Sequence, residues 1–379
     1  MNSILIVGAG ILGSTVAYWL SSLYDVSITV LEKEAGPALH TSGRNTGVIH
    51  QPFYLNPVTK RIFAKSARVS YEKCWKQFAK LRNLPWREVG TLKVAISDEH
   101  VSSLETYKRW GLENGMNEVE LELLDGKQVK ELEPNVECLA ALYCKTETAV
   151  SYQVFTNEIK KDAELNGAKF LPNSEVKKID NRKGRLSVSV KGLSKPMECD
   201  FLINCAGGNS VDIAHMMDIG KEFEDLHFRG EYLVVDPRFD TLCTRNIYSV
   251  PKYQKYPFLD PHFIVRADGR REVGPNAVLV GSPTDYAGIP FSLFLKLLER
   301  PISRKLRLLF DVEFLSLVRE EWKSSFSKNE MANRVRKFLP KLKTEYLTSM
   351  GLAGIRSSVM GRYGFEPEAI ELEGPNSYH

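Results

Sequence analysis

No stretch restricts the fold of this chain more than Ser3 to Glu32. Ile4-Leu5-Ile6-Val7 is a short apolar run, followed at once by Gly8-Ala9-Gly10-Ile11-Leu12-Gly13. An amphipathic segment, Ser14 to Leu23, leads to a second apolar run, Val26 to Leu31, closed by Glu32. The order is strand, glycine turn, helix, strand, acid, which is the arrangement of a dinucleotide-binding βαβ unit. Gly8 permits the tight turn out of the strand, Gly10 lets the backbone approach a pyrophosphate, and Gly13 lets the helix lie close to the sheet. The helix N-terminus directs free N–H groups and the positive end of its dipole at phosphate. Glu32, nineteen positions beyond Gly13, is placed to accept hydrogen bonds from a ribose diol. The motif predicts a bound dinucleotide and leaves open whether it is FAD or NAD(P).

Several classes of function are disfavoured by composition. A chain of 379 residues has room for about two domains. Its net charge of +4 gives no reason to expect nucleic acid as a partner, and suits a small anionic substrate only weakly. The six cysteines are scattered, form no CxxC pair and are not grouped with histidine, so no metal site is expected. Reduced thiols point to a cytoplasmic protein. The N-terminal apolar run is four residues long and enters the glycine turn directly, which is not a signal peptide. No apolar run approaches the ~20 residues that span a bilayer.

Further along, His40-Thr41-Ser42-Gly43-Arg44-Asn45-Thr46-Gly47-Val48-Ile49-His50 reads as a loop able to wrap a ligand with its backbone. Residues 56–84 read as a helix whose basic face is solvated, ended by Pro85. Gly90 to Ile96 alternates as a strand. Helices are expected at 100–113, 125–131 and 153–166. Strands are expected at 140–143, 149–152, 168–171, 175–179 and 185–190. Phe201 to Cys205 enters Ala206-Gly207-Gly208 and a helix at 210–217, a second strand–glycine–helix junction of the kind that gathers ligands at the carboxyl edge of a doubly wound sheet. From 228 to 285 the texture is that of a largely antiparallel sheet, with strands at 230–235, 248–251, 262–266 and 277–280. Helices at 291–300, 305–323 and 330–338 follow. Exposed apolar or basic faces of the first two would allow a peripheral membrane contact.

Five segments carry a family resemblance: GAGILG with Glu32; HTSGRNTGVIH at 40–50; Phe228-Arg229-Gly230-Glu231-Tyr232 with Tyr248 and Val250-Pro251; His262-Phe263 with Asp268-Gly269 and Gly274-Pro275-Asn276-Ala277; and Ala353-Gly354-Ile355-Arg356. The chain resembles the FAD-dependent amino-acid-oxidase-like superfamily and, within it, the L-2-hydroxyglutarate dehydrogenase/oxidase group. Thr46, Gln51-Pro52 and Pro261 depart from that group's usual residues around the pocket mouth. The group also continues, past its counterpart of Pro375-Asn376-Ser377-Tyr378-His379, into a glycine/serine-rich turn and a helix that close over the flavin.

The resemblance implies an α/β fold, with an FAD-binding Rossmann-like domain on a parallel sheet and an α+β substrate domain on a largely antiparallel one. The FAD-binding domain is expected over 1–84, 145–220 and 340–379, and the substrate domain over 85–144 and 221–339. FAD is the implied cofactor. Gly8, Gly10 and Gly13 would hold its pyrophosphate and Glu32 the adenosine ribose. Thr41 and Ser42 would add phosphate contacts, Asn45, Gly47 and Val48 would lie along the isoalloxazine, Val176 would meet the adenine, and Ala206 and Gly207 would line the cleft. The implied reaction is oxidation of a 2-hydroxy acid, L-2-hydroxyglutarate to 2-oxoglutarate, by hydride transfer to flavin N5. A histidine removes the hydroxyl proton. His50 is favoured over His262 as that base, the other hydrogen-bonding the substrate. Arg356 would grip a carboxylate in two places. Arg229, Tyr248 and Arg266 are weaker pocket candidates. The electron acceptor stays open between oxygen and a quinone. Alternatives are an enzyme acting on glycerol 3-phosphate, an amino-acid or amine oxidase, and a flavoprotein subunit without catalysis of its own.

Overall fold

A computed structural model describes residues 2–182, 184–251, 260–289, 291–299, 305, 307–308, 310–366 and 369–379. The opening βαβ unit forms as its sequence dictates. Strands Ser3–Val7 and Ser27–Leu31 run parallel, joined by helix Ile11–Leu23. Phe201–Asn204 pairs parallel on the free edge of the first strand, and Lys169–Leu171 parallel on the second. Ser377–Tyr378 and Glu373–Gly374 complete a six-stranded sheet.

Side chains of the first strand alternate between the two faces of this sheet. Ile6 joins Ala17, Ile28, Val30 and Ala163 beneath helices Ile11–Leu23 and Tyr152–Leu165. Leu5 and Val7 join Leu202, Leu186 and Val188 beneath a small antiparallel sheet, Val176–Arg182, Arg185–Val190 and Met197–Cys199. Both faces are covered, which is why the parallel strands read as apolar runs rather than alternating ones.

The second layer is an eight-stranded sheet. In spatial order it holds Leu347–Met350, Leu233–Val235, Arg271–Gly274, His262–Val265, Asn246–Ser249, Thr91–Ala95, Ala140–Cys144 and Leu121–Asp125. Neighbours are antiparallel except at Asn246–Ser249 beside Thr91–Ala95. One face is apolar: Leu92, Val94, Ile247, Phe263 and Val273 pack against Met331, Ala332 and Val335 of helix Lys328–Arg336. A four-stranded antiparallel sheet, Val278–Val280, Glu224–Gly230, Gly354–Gly361 and Gly364–Phe365, joins the two layers.

Most expected elements are present, with boundaries moved by identifiable causes. The 56–84 helix is Arg61–Ser70, a π-turn at Tyr71–Trp75, and Lys76–Arg82, and it ends at Asn83 in the left-handed region (φ 51°) before Pro85 is reached. The strand expected at 149–152 is only Thr148–Ala149, because the Ser151 side chain caps the next helix by accepting from the Val154 N–H. The strand expected at 230–235 divides between two sheets. Asn276 causes the division, accepting from the Glu231 N–H at 2.8 Å and donating to its carboxylate at 2.8 Å. The helix expected at 305–323 is described as Val312–Phe326, capped by Asp311; 300, 306 and 309 of the expected helical stretches lie outside the described residues. Strand Leu347–Met350, placed by sequence with the dinucleotide-binding half, pairs with Leu233–Val235 in the eight-stranded sheet. No described helix is long and apolar enough to cross a membrane. Phe291, and Phe294, Leu295 and Leu298 in the helix Ser292–Leu298 that follows it, are exposed.

Candidate active site

At the carboxyl edge of the six-stranded sheet the glycine turn makes a backbone cradle. Gly8 has φ +101°, and a Cβ there would lie 2.4 Å from the Cys205 carbonyl oxygen; a Cβ at Gly13 would lie 2.0 Å from the Gly8 carbonyl oxygen. Strand, helix and the Cys205–Gly208 junction thus meet at backbone contact, leaving the first helical turn open at Gly10. Ser42 Oγ accepts from the Ile11 N–H at 3.0 Å, and its own proton remains available to a phosphate. Glu32 is fixed at the end of its strand, accepting from the Ala9 N–H at 2.8 Å and the Glu34 N–H at 2.9 Å. Each carboxylate oxygen keeps a free lone pair for a ribose hydroxyl. Val176 is buried just beyond, and Ala206–Gly207 follows the strand on the other side of the cradle, Gly207 with φ +57°. These groups fit a dinucleotide.

The loop 40–50 crosses from this cradle to the second layer and is braced throughout. Thr41 Oγ1 donates to the Ile355 carbonyl at 3.0 Å. Asn45 accepts from the Gly47 N–H at 2.8 Å and donates to the Thr41 carbonyl at 3.0 Å. Gly47 takes φ +71°, and its carbonyl accepts from the Val150 N–H at 2.7 Å. The Arg266 guanidinium donates to the Asn45 carbonyl and, at 2.7 Å, to Glu272. Arg266 is therefore a tether for the loop. Arg229 is likewise engaged, with Glu231 at 2.9 Å and the Gly288 carbonyl at 2.9 Å. Both arginines spend their donors within the protein.

The loop ends in strand Val48–Ile49, which pairs with Thr148–Ala149 and so sets His50 beside Glu147. Glu147 is 0% exposed. One of its oxygens lies 3.0 Å from His50 Nδ1 and 3.2 Å from the Gln51 N–H; the other accepts from Thr91 Oγ1 at 2.6 Å. A carboxylate only accepts, so Nδ1 carries the hydrogen and Nε2 presents a lone pair. The side chain of His50 is 35% exposed and can meet a substrate there.

Facing His50 is the other face of the eight-stranded sheet, on which Thr91, Lys93, Tyr248 and His262 interrupt apolar packing. Thr91 and Lys93 alternate with Leu92 and Val94 and point away from the apolar core. Lys93 is paired across the sheet with Tyr248, which lies against His262 on the next strand, their ring centroids 4.0 Å apart. The Tyr248 ring is 5.9 Å from the His50 ring, and Tyr54 closes the other side at 6.0 Å. Tyr248 Oη and His262 Nδ1 are buried without a hydrogen-bond partner, and such groups are costly unless a ligand completes them. Burial, reinforced by nearby Glu147, holds the Tyr248 phenol well above its ordinary pKa; it stays a donor. Burial, reinforced by Lys93 and His50, holds the His262 imidazole well below its ordinary pKa, so it stays neutral. Arg356 lies on the strand next to Ile355, whose carbonyl anchors Thr41. Arg356 is exposed as a whole, yet desolvation lowers the pKa of its guanidinium, with Tyr54, which also flanks His50, acting in the opposite direction; among the described residues it makes no hydrogen bond or ion pair.

The sequence-derived candidates His50, His262, Tyr248 and Arg356 are thus set around one pocket beside the cradle, while Arg229 and Arg266 serve as braces. Glu147 and Lys93 were not singled out by sequence. Glu147 sits between two short strands with no motif around it. Lys93 carried a faint signal: it is a lysine inside a strand, between the small residues Thr91 and Ala95 on one face. No group of histidine, cysteine and carboxylate side chains suited to a metal occurs among the described residues.

Comparison with known proteins follows the same outline. Residues 3–374 match the DAO family, FAD dependent oxidoreductase. The chain is 32% identical over 383 residues to the mitochondrial L-2-hydroxyglutarate dehydrogenase of Mus musculus, covering 97% of this chain and 80% of that protein. It is 31% identical over 374 residues to the Homo sapiens protein of that name, covering 95% and 78%. It is 29% identical over 366 residues to L-2-hydroxyglutarate dehydrogenase of Escherichia coli, covering 96% and 84%. Among solved structures, FAD-bound L-alpha-glycerophosphate oxidase from Mycoplasma pneumoniae superposes with a TM-score of 0.73 at 21% identity, covering 96% of this chain and 85% of that one. L-proline dehydrogenase from P. horikoshii superposes with a TM-score of 0.69 at 20% identity, covering 100% and 86%.

Proposed function

Because the chain belongs to the DAO family of FAD-dependent oxidoreductases, we propose that it oxidises a small 2-hydroxy acid, L-2-hydroxyglutarate first among them, to the 2-oxo acid. The observation that carries this reading is the His50–Glu147 pair, 3.0 Å apart, opening onto a pocket with donors and cations but, among the described residues, no further base held by a carboxylate.

Bound FAD supplies the two-electron acceptor for the hydride of the substrate Cα–H. The residues of the chain do the rest. His50 Nε2 takes the hydroxyl proton, and Glu147 keeps the ring in the tautomer that leaves Nε2 free and stabilises the imidazolium that results. Thr91 and the Gln51 N–H hold Glu147 as the acceptor. Neutral His262 and the Tyr248 phenol offer hydrogen bonds to the substrate oxygens and fix its orientation. Arg356 grips the carboxylate next to the reacting carbon, since its planar guanidinium matches a carboxylate in two places. Gly8, Gly10, Gly13, Ser42 and Glu32 would hold the pyrophosphate and adenosine end of the cofactor, and Asn45, Gly47 and Val48 its ring end.

Dye-coupled turnover of the purified, FAD-loaded protein tests the substrate class. L-2-hydroxyglutarate is expected to support turnover well above that with glycerol 3-phosphate or glycine. Turnover with glycerol 3-phosphate alone, or peroxide release with glycine alone, would transfer the protein to a different substrate class.

A further inference from the structure

Lys93 is a second cation in the same pocket, and the mechanism above does not use it. Its strand neighbour Tyr248 and then His262 continue a single row across the sheet face, and its ammonium lies 5.8 Å from the centre of the Tyr248 ring. The nearby carboxylates are committed elsewhere: Glu147 to His50, Gln51 and Thr91, and Asp260 to Arg334 at 3.5 Å. Among the described residues the Lys93 ammonium has no hydrogen bond and no ion pair. A partly buried ammonium without a counter-charge is unfavourable until an anion arrives. Burial brings its pKa down to about 8, with Glu147 and Asp260 acting in the opposite direction.

The two cations stand on different sheets, Arg356 on the four-stranded one and Lys93 on the eight-stranded one. Arg356 lies on the strand that anchors the loop reaching from the dinucleotide cradle. Lys93 lies on the substrate-side sheet, beyond the Tyr248 ring. We propose that Lys93 is the specificity-determining anchor for the distal carboxylate of a dicarboxylate substrate, with Arg356 holding the carboxylate next to the reacting carbon. This rests on the 2-hydroxy-acid reading and sharpens it, because a monocarboxylate leaves the Lys93 position unanswered.

The test compares L-2-hydroxyglutarate with L-2-hydroxyvalerate, of the same chain length but without the distal carboxylate, on FAD-loaded wild type, Lys93→Met, Lys93→Arg and Arg356→Ala. A charge-assisted contact of this kind is worth about 10- to 100-fold. Lys93→Met should lower kcat/KM for L-2-hydroxyglutarate by about that factor, chiefly through KM, and leave L-2-hydroxyvalerate nearly unchanged. Lys93→Arg should recover part of the loss, and Arg356→Ala should weaken both substrates. Inhibition of the wild type by glutarate should weaken as the pH rises through about 8, where Lys93 loses its charge, whereas inhibition by valerate should not follow that course. The ratio of the two removes contributions common to both ligands from the other titratable groups facing Lys93, namely His50, His262, Tyr248, Glu147 and Asp260. This pH comparison needs no variant, so it decides the matter even if Lys93→Met does not fold. Equal losses on both substrates, or a glutarate-to-valerate ratio independent of pH, would overturn the anchor while leaving the reaction intact. Wild type that binds FAD yet ignores L-2-hydroxyglutarate would overturn both readings.

Discussion

Replacing His50 by Ala is expected to lower turnover about 10²- to 10⁴-fold, the usual contribution of a general base, while FAD remains bound. The two halves of this expectation come from different parts of the fold. The loss of turnover follows from Glu147: with its imidazole partner gone, no other side chain among the described residues is held by a carboxylate with a ring nitrogen free toward the pocket. His262 is a poor substitute, because burial and the neighbouring Lys93 disfavour its protonated form, so it resists accepting a proton. Retention of FAD follows from distance along the fold. The groups proposed to hold the cofactor's phosphates and ribose are Gly8, Gly10, Gly13, Ser42 and Glu32, and none of them bonds to His50. The measurement is kcat at saturating L-2-hydroxyglutarate beside the flavin absorbance of the same sample. Turnover near the wild-type value would remove His50 from the role of base; colourless protein would show that His50 also supports the cofactor site.

Gly13→Ala should have the reverse signature, loss of FAD before any question of turnover arises. A single methyl at this position would lie 2.0 Å from the Gly8 carbonyl oxygen and 3.2 Å from Cys205 Cβ. The first contact is with backbone, which has no rotamer to move away. Helix Ile11–Leu23 would have to retreat from the strand, and the N–H groups of its first turn would leave hydrogen-bonding distance of a pyrophosphate. Overpacking of this kind costs about 1–3 kcal/mol, enough to lower FAD affinity roughly tenfold or more. Gly36→Ala is the control, since nothing lies within 4 Å of a Cβ there and its φ is ordinary. Flavin content after desalting, with far-ultraviolet circular dichroism to verify folding, reads the result. A full complement of FAD in Gly13→Ala would contradict the cradle.

These two cases mark what was legible in the sequence. The glycine turn is legible because its tightest internal contact, a Cβ at Gly13 against the Gly8 carbonyl oxygen, is made five positions away, so residue type and spacing suffice; the approach of Gly8 to the Cys205 carbonyl adds a constraint that only the fold reveals. His50 and its loop were legible as a ligand-wrapping segment, but what positions the imidazole was not. Glu147 lies 97 residues away and reaches His50 because Val48–Ile49 pairs with Thr148–Ala149, a two-residue ladder too short to leave a periodic signal. Lys93 shows a related gap. Alternation located its strand, but a pattern of period two does not reveal which face lines a pocket. That is decided by where helix Lys328–Arg336 packs, more than two hundred positions on. Arg229 and Arg266 are cations within motif segments, yet buried carboxylates at Glu231 and Glu272 claim them. A charge in a motif is a pocket candidate only until its counter-ion is found.

Anaerobic titration of the purified FAD-loaded protein with L-2-hydroxyglutarate tests the central claim most directly. Stoichiometric bleaching of the flavin's visible absorption, with matching formation of 2-oxoglutarate and no bleaching by the D enantiomer, is the predicted result. A flavin that stays oxidised in saturating L-2-hydroxyglutarate would contradict it.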